Sequence, residues 1–371
     1  MQNRKKLCRC FPSLLIGLIG ALILANLLGC TGIGPAYLSR GRAAYNDVLT
    51  ETNAEQTLAY IVKLRYGVQS SMLAVSSITA NVKFSANAGV DIGVGPSSSY
   101  DGNLVPLSGG VAYEDSPSIT YLPVQGETHV RSLMAPISAD FLILLLDNEI
   151  STDPAQYFTL LVTKINRIPN LSFIPVSEAA NDDRFTRFTA LVRTLRQAQA
   201  LDFVQSAEKQ NDFLFWIHDY APSYDESVRR LLDLLNITGV ATDGKDIFLP
   251  LSSLLQDSTT KSVSIQTRSV HRLAKIFAAA VDVPEEDRAS RLSFEYPPLG
   301  RSAIFIKIRR SAKRPANAVS ATKYRDWWYY INGGDPKSKI SFDLFHTLMA
   351  TRLSETAKTL NAAPLLTIPV K

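Results

Sequence analysis

The chain has 371 residues, 46% hydrophobic and 20% charged, enough to bury an ordinary core in one or two domains. Four of its 39 Lys+Arg, namely Arg4, Lys5, Lys6 and Arg9, fall in an acid-free leader; beyond Gly29 the balance is therefore 35 basic against 34 acidic residues, which excludes the strongly basic domain that nucleic acid requires. All three cysteines, Cys8, Cys10 and Cys30, lie at the start of the chain, so the rest can hold no intrachain disulfide, thiolate metal site or cysteine nucleophile.

The basic leader is followed by the uncharged run Phe11 to Gly29, the pattern of an export signal rather than of a folded segment. Leu27-Leu28-Gly29-Cys30 resembles a lipobox, in which Cys30 becomes the mature N-terminus and takes a thioether-linked diacylglycerol and an acyl chain such as palmitate. Two or more chains, at about 0.8 kcal/mol per buried CH₂, make a stable anchor where one would not. Thr31 stands where an aspartate would direct inner-membrane retention, so the expected location is the outer membrane, facing the periplasm. An uncleaved transmembrane helix fits less well, because the C-terminal flank lacks a charged stop. The expected organisation is a signal peptide over 1–29, a lipidated tether over 30–44 and a periplasmic region over 45–371 with a boundary near 176.

Asn53 with Gln56 three residues on reads as a helix N-cap and its box partner, and Leu58, Ile61, Val62 and Arg65 continue at helical spacing to Gly67, which predicts a helix over 53–66. Residues 74–124 alternate and hold many glycines and serines, the mark of strands joined by turns. Ser138 to Ile150 and Asp153 to Asn166 read as two helices, the second opened by Asp153 and Pro154. Further helices are expected at 182–200, 225–236, 268–281 and 341–359. Strands are expected near 171–176, 213–218, 246–251, 262–267, 303–309, 318–324, 326–331 and 365–370. The mixture is α+β with largely antiparallel sheets, including a long β-hairpin around 80–122.

The complete catalytic motifs fail one by one. Gly239 to Asp246 matches a phosphate loop except for the magnesium-binding hydroxyl, and Ile247 to Pro250 is strand-like where a helix must start, so Asp243-Gly244 reads better as a hairpin turn. Ser-x-x-Lys occurs at Ser206, Ser258 and Ser320 without Ser-Asp-Asn or Lys-Thr-Gly, and there is no Gly-x-Ser-x-Gly elbow. His129, His218, His271 and His346 are far apart and show no zinc spacing. Asp147, Glu149 and Asp153 sit at an expected helix boundary. No cofactor or metal is implied.

Three features stand out. Over 81–95, Val82, Phe84, Ala86, Ala88, Val90, Ile92 and Val94 share one face and small polar residues the other. A membrane-spanning strand takes about 9–11 residues with this pattern, against about 5–6 for an ordinary strand. The weaker return alternation Leu107, Gly109, Val111, Tyr113 leaves two readings, an oligomeric pore strand or an amphipathic hairpin folded on the protein's own helices, of which the second is the plainer. The second feature is an acid-free cluster that includes Lys307, Arg309, Arg310, Lys313 and Arg314, able to face anionic headgroups or to form the solvated side of a half-buried strand. The third, Trp327 to Ile331, would suit sugar stacking but is better explained by a strand covered on both sides.

Several stretches together resemble a family of predicted bacterial lipoproteins of uncharacterised function. They are Tyr45-Asn46, Glu55-Gln56, Ile61 to Tyr66, Val75 to Ile78, Glu114 to Tyr121, Tyr324-Arg325, Trp328 to Ile331 and the ending Leu366 to Val370. The resemblance departs at Asn332-Gly333, where an acidic pair is expected, and it transfers no catalytic residue. The function expected is a non-enzymatic binding or assembly module, held at the membrane by its lipid and partnered by protein or by further copies. An outer-membrane pore subunit comes second, and an envelope enzyme with a dispersed site third.

Overall fold

A computed structural model describes residues 33–79, 82–90, 107–115, 118–148, 153–173, 182–206, 213–240, 246–252, 261–296, 305–359 and 366–369. The chain divides into two units, Met1–Glu55 and Gln56–Lys371. In the first, the described residues belong to helix α1, which runs Ile33–Arg65 and ends in the second. The helix thus starts well before the expected cap at Asn53. Pro35 is tolerated in a first turn, and no glycine or proline interrupts the chain between Gly41 and Gly67, so nothing forces a start at 53. Its end is as expected: Gly67 adopts φ 70°, Val68 N–H donates to Lys63 O at 2.9 Å, and the left-handed glycine closes the helix.

The second unit continues with β1 (Met72–Thr79), β2 (Val82–Val90), β3 (Leu107–Asp115) and β4 (Ser118–Val124), then α2 (Glu127–Met134), α3 (Ala139–Asn148) and α4 (Pro154–Leu161). Next come β5 (Val162–Ile165), β6 (Ile168–Pro169), α5 (Arg184–Gln197), β7 (Leu201–Gln205), β8 (Phe213–Ile217), α6 (Asp225–Leu234), β9 (Ile247–Ser252) and β10 (Val263–Thr267). The last elements are α7 (Val270–Ala279), α8 (Glu285–Ala289), β11 (Arg309–Ser311), β12 (Ala318–Tyr324), β13 (Trp327–Asn332), α9 (Pro336–Thr359) and β14 (Leu366–Pro369). The fold is α+β. A six-stranded sheet has the order β6-β5-β10-β9-β8-β7, antiparallel except for β9 with β10, and the expected boundary near 176 falls between strands of this one sheet. Three-stranded sheets β1-β4-β14 and β11-β13-β12 are antiparallel throughout.

Helix α9 packs against α2, α7, β13, β1 and β4 through Phe342, Phe345, Leu348 and Met349, all buried. Asp335 caps it, accepting from Ser338 N–H and Oγ–H, and Pro336 follows the cap. Its buried Ser338 and Ser341 hold the neighbouring chain: Lys307 N–H donates to Ser338 Oγ, and Ser341 Oγ–H donates to Phe305 O. These bonds correct the expected strand at 303–309. The backbone of 305–307 is claimed by the helix, Ile308 makes a single bridge to Val281, and strand pairing starts only at Arg309.

A second correction concerns 153–166. The helix stops at Leu161 and the chain turns into β5, because Val162, Thr163 and Ile165 are β-branched and the last carbonyls find partners outside the helix. Arg268 Nη1 donates to the carbonyls of Thr159, Leu160 and Val162 at 2.7–2.8 Å, and Asn170 Nδ2 donates to those of Thr159 and Val162. Gly333 supplies a third local reason. Its N–H donates to Asn317 O, and a Cβ there would stand 2.6 Å from that same oxygen, so a side chain of any kind, acidic included, is excluded at this turn.

Candidate functional site

The described strands on this side of the protein share one numbering register. Thr79 pairs with Ser118 and Val82 with Asp115, so three positions separate the two pairs on either strand. The described pairs run from Met72↔Val124 to Thr79↔Ser118, with one irregularity between Val75 and Ser77, and from Val82↔Asp115 to Val90↔Leu107. The nine residues of β2 correspond to about 30 Å of extended chain. Strand β4 carries β14 on its other side, whereas β2 and β3 form a two-stranded sheet among the described residues.

Cross-strand partners share a face, so the register decides how the two alternations combine. Phe84 lies opposite Tyr113, Ala86 opposite Val111, Ala88 opposite Gly109 and Val90 opposite Leu107. The other register positions pair Lys83 with Glu114, Ser85 with Ala112, Asn87 with Gly110 and Gly89 with Ser108. The return strand looks irregular in isolation, yet from Tyr113 to Leu107 its alternate positions fall on the apolar positions Phe84 to Val90 of β2, and the match ends where Asp115 lies opposite Val82. Cys30, Ile92 and Val94 lie outside the described residues, as do 96–103 and 241–245.

The basic cluster does not act as one face. Lys307, Arg309, Lys313 and Arg314 are exposed, but Arg310 is half-buried, with Nε 3.3 Å from Asp282 Oδ2 and its guanidinium 4.6 Å from the Trp327 ring centroid. Arg314 stands 5.5 Å from the Trp328 centroid. The acids missing from this stretch of sequence come from elsewhere: Asp282 partners Arg310, and Asp287 lies 3.6 Å from Arg325. On β13, Tyr329 and Ile331 are fully buried while Trp327, Trp328 and Tyr330 are half-buried, so the strand is covered on one side and partly covered on the other. The Tyr66 hydroxyl donates to Asp287 Oδ2 at 2.6 Å and meets the Tyr329 hydroxyl at 2.7 Å, and burial together with these bonds raises its pKa.

The histidines are dispersed. His218 was unremarkable in sequence, but β7 pairing with β8 brings it to Asp202, Nε2 to Oδ2 2.9 Å, with Arg196 on the other oxygen at 2.8 Å and Trp216 stacked at 3.8 Å. Its Nδ1 turns to the exposed Asp219 at 3.4 Å. Both nitrogens face carboxylates, so neither is placed to activate a hydroxyl nucleophile. Asp153 caps α4, accepting from Ala155 N–H, and pairs with Arg193; Asp147 is exposed and Glu149 lies outside the described residues.

His129, His271 and His346 have pKa values lowered, chiefly by burial, with Lys275 adding to the shift at His271 and Asp343 opposing it at His346. The unfolded chain therefore binds protons near pH 6.5 while the folded chain does not, and stability falls as pH drops from about 7 through the folded values. Urea unfolding is expected to give a lower free energy at pH 5.5 than at pH 7.5, with a shallower fall in His346→Gln. A flat profile over this range would remove the buried histidines from the stability balance.

A groove of about 530 Å³ lies beside α2, lined by Tyr60, Leu64, Leu133, His129 and His271 among others. Val68, Val130, Met134 and Phe294 also line it and are 45–57% exposed, which concentrates apolar surface in one place. Among the described residues no group of three or more His, Cys, Asp or Glu is arranged to hold a metal ion, and no helix is long and apolar enough to cross a membrane. Comparison with protein-family models, with curated proteins and with solved structures finds no match to this chain.

Proposed function

We propose that the chain is a lipid-anchored protein of the outer membrane, facing the periplasm, that acts without catalysis as an assembly module. Its β2/β3 hairpin pairs with the hairpins of further copies to cross the membrane as a shared barrel. The observation that carries this reading is the β2/β3 register, which sets Phe84, Ala86, Ala88 and Val90 opposite Tyr113, Val111, Gly109 and Leu107, with Val82 opposite Asp115 at the end of the pair of nine-residue strands. Nine residues span about 30 Å, the thickness of a bilayer core. A lone two-stranded hairpin is marginal in water, and both of its outer edges need partners in a membrane. Sister hairpins supply those partners.

The apolar groove beside α2 favours a second reading, in which the protein remains a single tethered copy and holds an apolar segment of another envelope protein there. One experiment separates the two. Full-length lipidated protein, extracted in mild detergent, is sized by light scattering after chromatography. A ring of several copies is the expected result. One protomer at every concentration would overturn the shared barrel and leave the groove as the working surface.

A further inference from the structure

A separate recess of about 270 Å³ lies where β5 and residues 169–173 meet α7, and three cations stand in its otherwise mostly apolar lining. Arg268, Arg272 and Lys275 follow one another at spacings of four and three and all line it, with Phe173 and Tyr296 beside them and no acid among the described lining residues. Arg268 is only 4% exposed. Among the described residues all of its side-chain hydrogen bonds start from Nη1, which serves the carbonyls of Thr159, Leu160 and Val162. Its Nε and Nη2 edge, the fork that binds carboxylate and phosphate side-on, has no acceptor among the described residues. Phe173 stacks on the same guanidinium, 5.1 Å from its ring centroid.

The charges around Arg268 worsen its position instead of relieving it. Burial, together with the neighbouring charge of Arg272, pulls its pKa down to about 9. Arg272 and Lys275 are exposed and make no described ion pair; Asp140 lines another recess, which Arg272 shares. Behind Tyr296 stands Arg65, 7% exposed and 5.0 Å from that ring centroid, with Nε and Nη1 buried and without hydrogen-bond partners. A buried cation without a counter-charge is costly to fold, and here one lines the opening with two exposed cations beside it. An incoming anion supplies what the chain itself withholds.

We propose that this recess is a binding site for a small oxyanion, a phosphate or carboxylate group held by the free edge of Arg268 and closed over by Arg272 and Lys275. The volume is below that of a drug-sized pocket, so the ligand is a small molecule or one headgroup of a larger one. The site is independent of the hairpin and would serve either reading of the function.

The test is calorimetric titration of the full chain in detergent with inorganic phosphate, phenyl phosphate and benzoate in turn, alongside thermal unfolding. Saturable binding of at least one probe is expected, weakened by salt, and reduced on the order of tenfold in Arg272→Gln and in Lys275→Gln. Preference for the phosphates or for benzoate identifies the oxyanion. Without ligand, Arg272→Gln should unfold no lower than the parent chain, since a like charge is removed, and it should lose the ligand-induced rise in Tm. The absence of saturable binding with all three probes would overturn the proposal, as would binding unchanged in both variants.

Discussion

Phe158→Ala is expected to cost about 3–5 kcal/mol of unfolding free energy, the range for truncating a fully buried aromatic residue. Phe158 is 0% exposed at the centre of a ring cluster: Phe188 meets it edge-on at 5.3 Å and Phe203 lies at 6.0 Å. Phe185 and Phe215 extend the cluster outward through those two rings. The surroundings come from α4, α5, β7 and β8, so no single side chain can swing in to fill the space, and the cavity persists. Phe158 also directly precedes the carbonyl of Thr159, the first that Arg268 holds, and a loosened helix end would disturb the floor of the basic recess. Urea unfolding measures the loss; an unchanged slope with a lower midpoint is expected. A loss below about 1 kcal/mol would mean that the cluster repacks freely and is not the anchor of the six-stranded sheet.

What the sequence made legible follows its periodicities. Helices α5, α6 and α7 carry clear apolar faces, and the strands β8, β9, β10, β12 and β13 stand close to their expected limits. Elements set by distant partners were not legible. Residues 305–307 have the alternation of a strand but give their backbone to serines of α9, and residues 162–165 have helical neighbours but turn into β5 where Arg268 collects the helix carbonyls. Helix α2 and strand β7 were missed because both are short and half polar, and their order comes from packing against α9 and pairing with β8.

The candidate sites divide in the same way. The alternation over β2 could be read directly, but its meaning depended on the return strand, and only the register shows Gly109 opposite Ala88 and Tyr113 opposite Phe84. Small residues on β3 broke the pattern to the eye without breaking it in space. The basic recess had no sequence signal beyond the spacing of Arg268, Arg272 and Lys275, which any solvated helix face also shows. What distinguishes it is the burial of one cation and a described lining that holds no acid, both of which are properties of the fold.

Ala88→Arg is expected to abolish the detergent-stable assembly, whereas Asn87→Arg should leave it intact. In the shared barrel, Ala88 and its partner Gly109 occupy the lipid-facing register, and an arginine near mid-membrane depth costs about 2–4 kcal/mol in each copy. That cost recurs around the ring, so a modest penalty per protomer removes the assembled state. Asn87, opposite Gly110, belongs to the other face, where water lies and small neighbours leave room for a long side chain. Both changes lie in the two-stranded β2/β3 sheet and not in the β1-β4-β14 sheet, so both variants should keep the parental circular dichroism and melting temperature in detergent. Light scattering on the two purified variants decides the matter: equal tolerance, or equal loss, would mean that the two faces of the hairpin do not meet different surroundings, and the barrel reading would fall with that result.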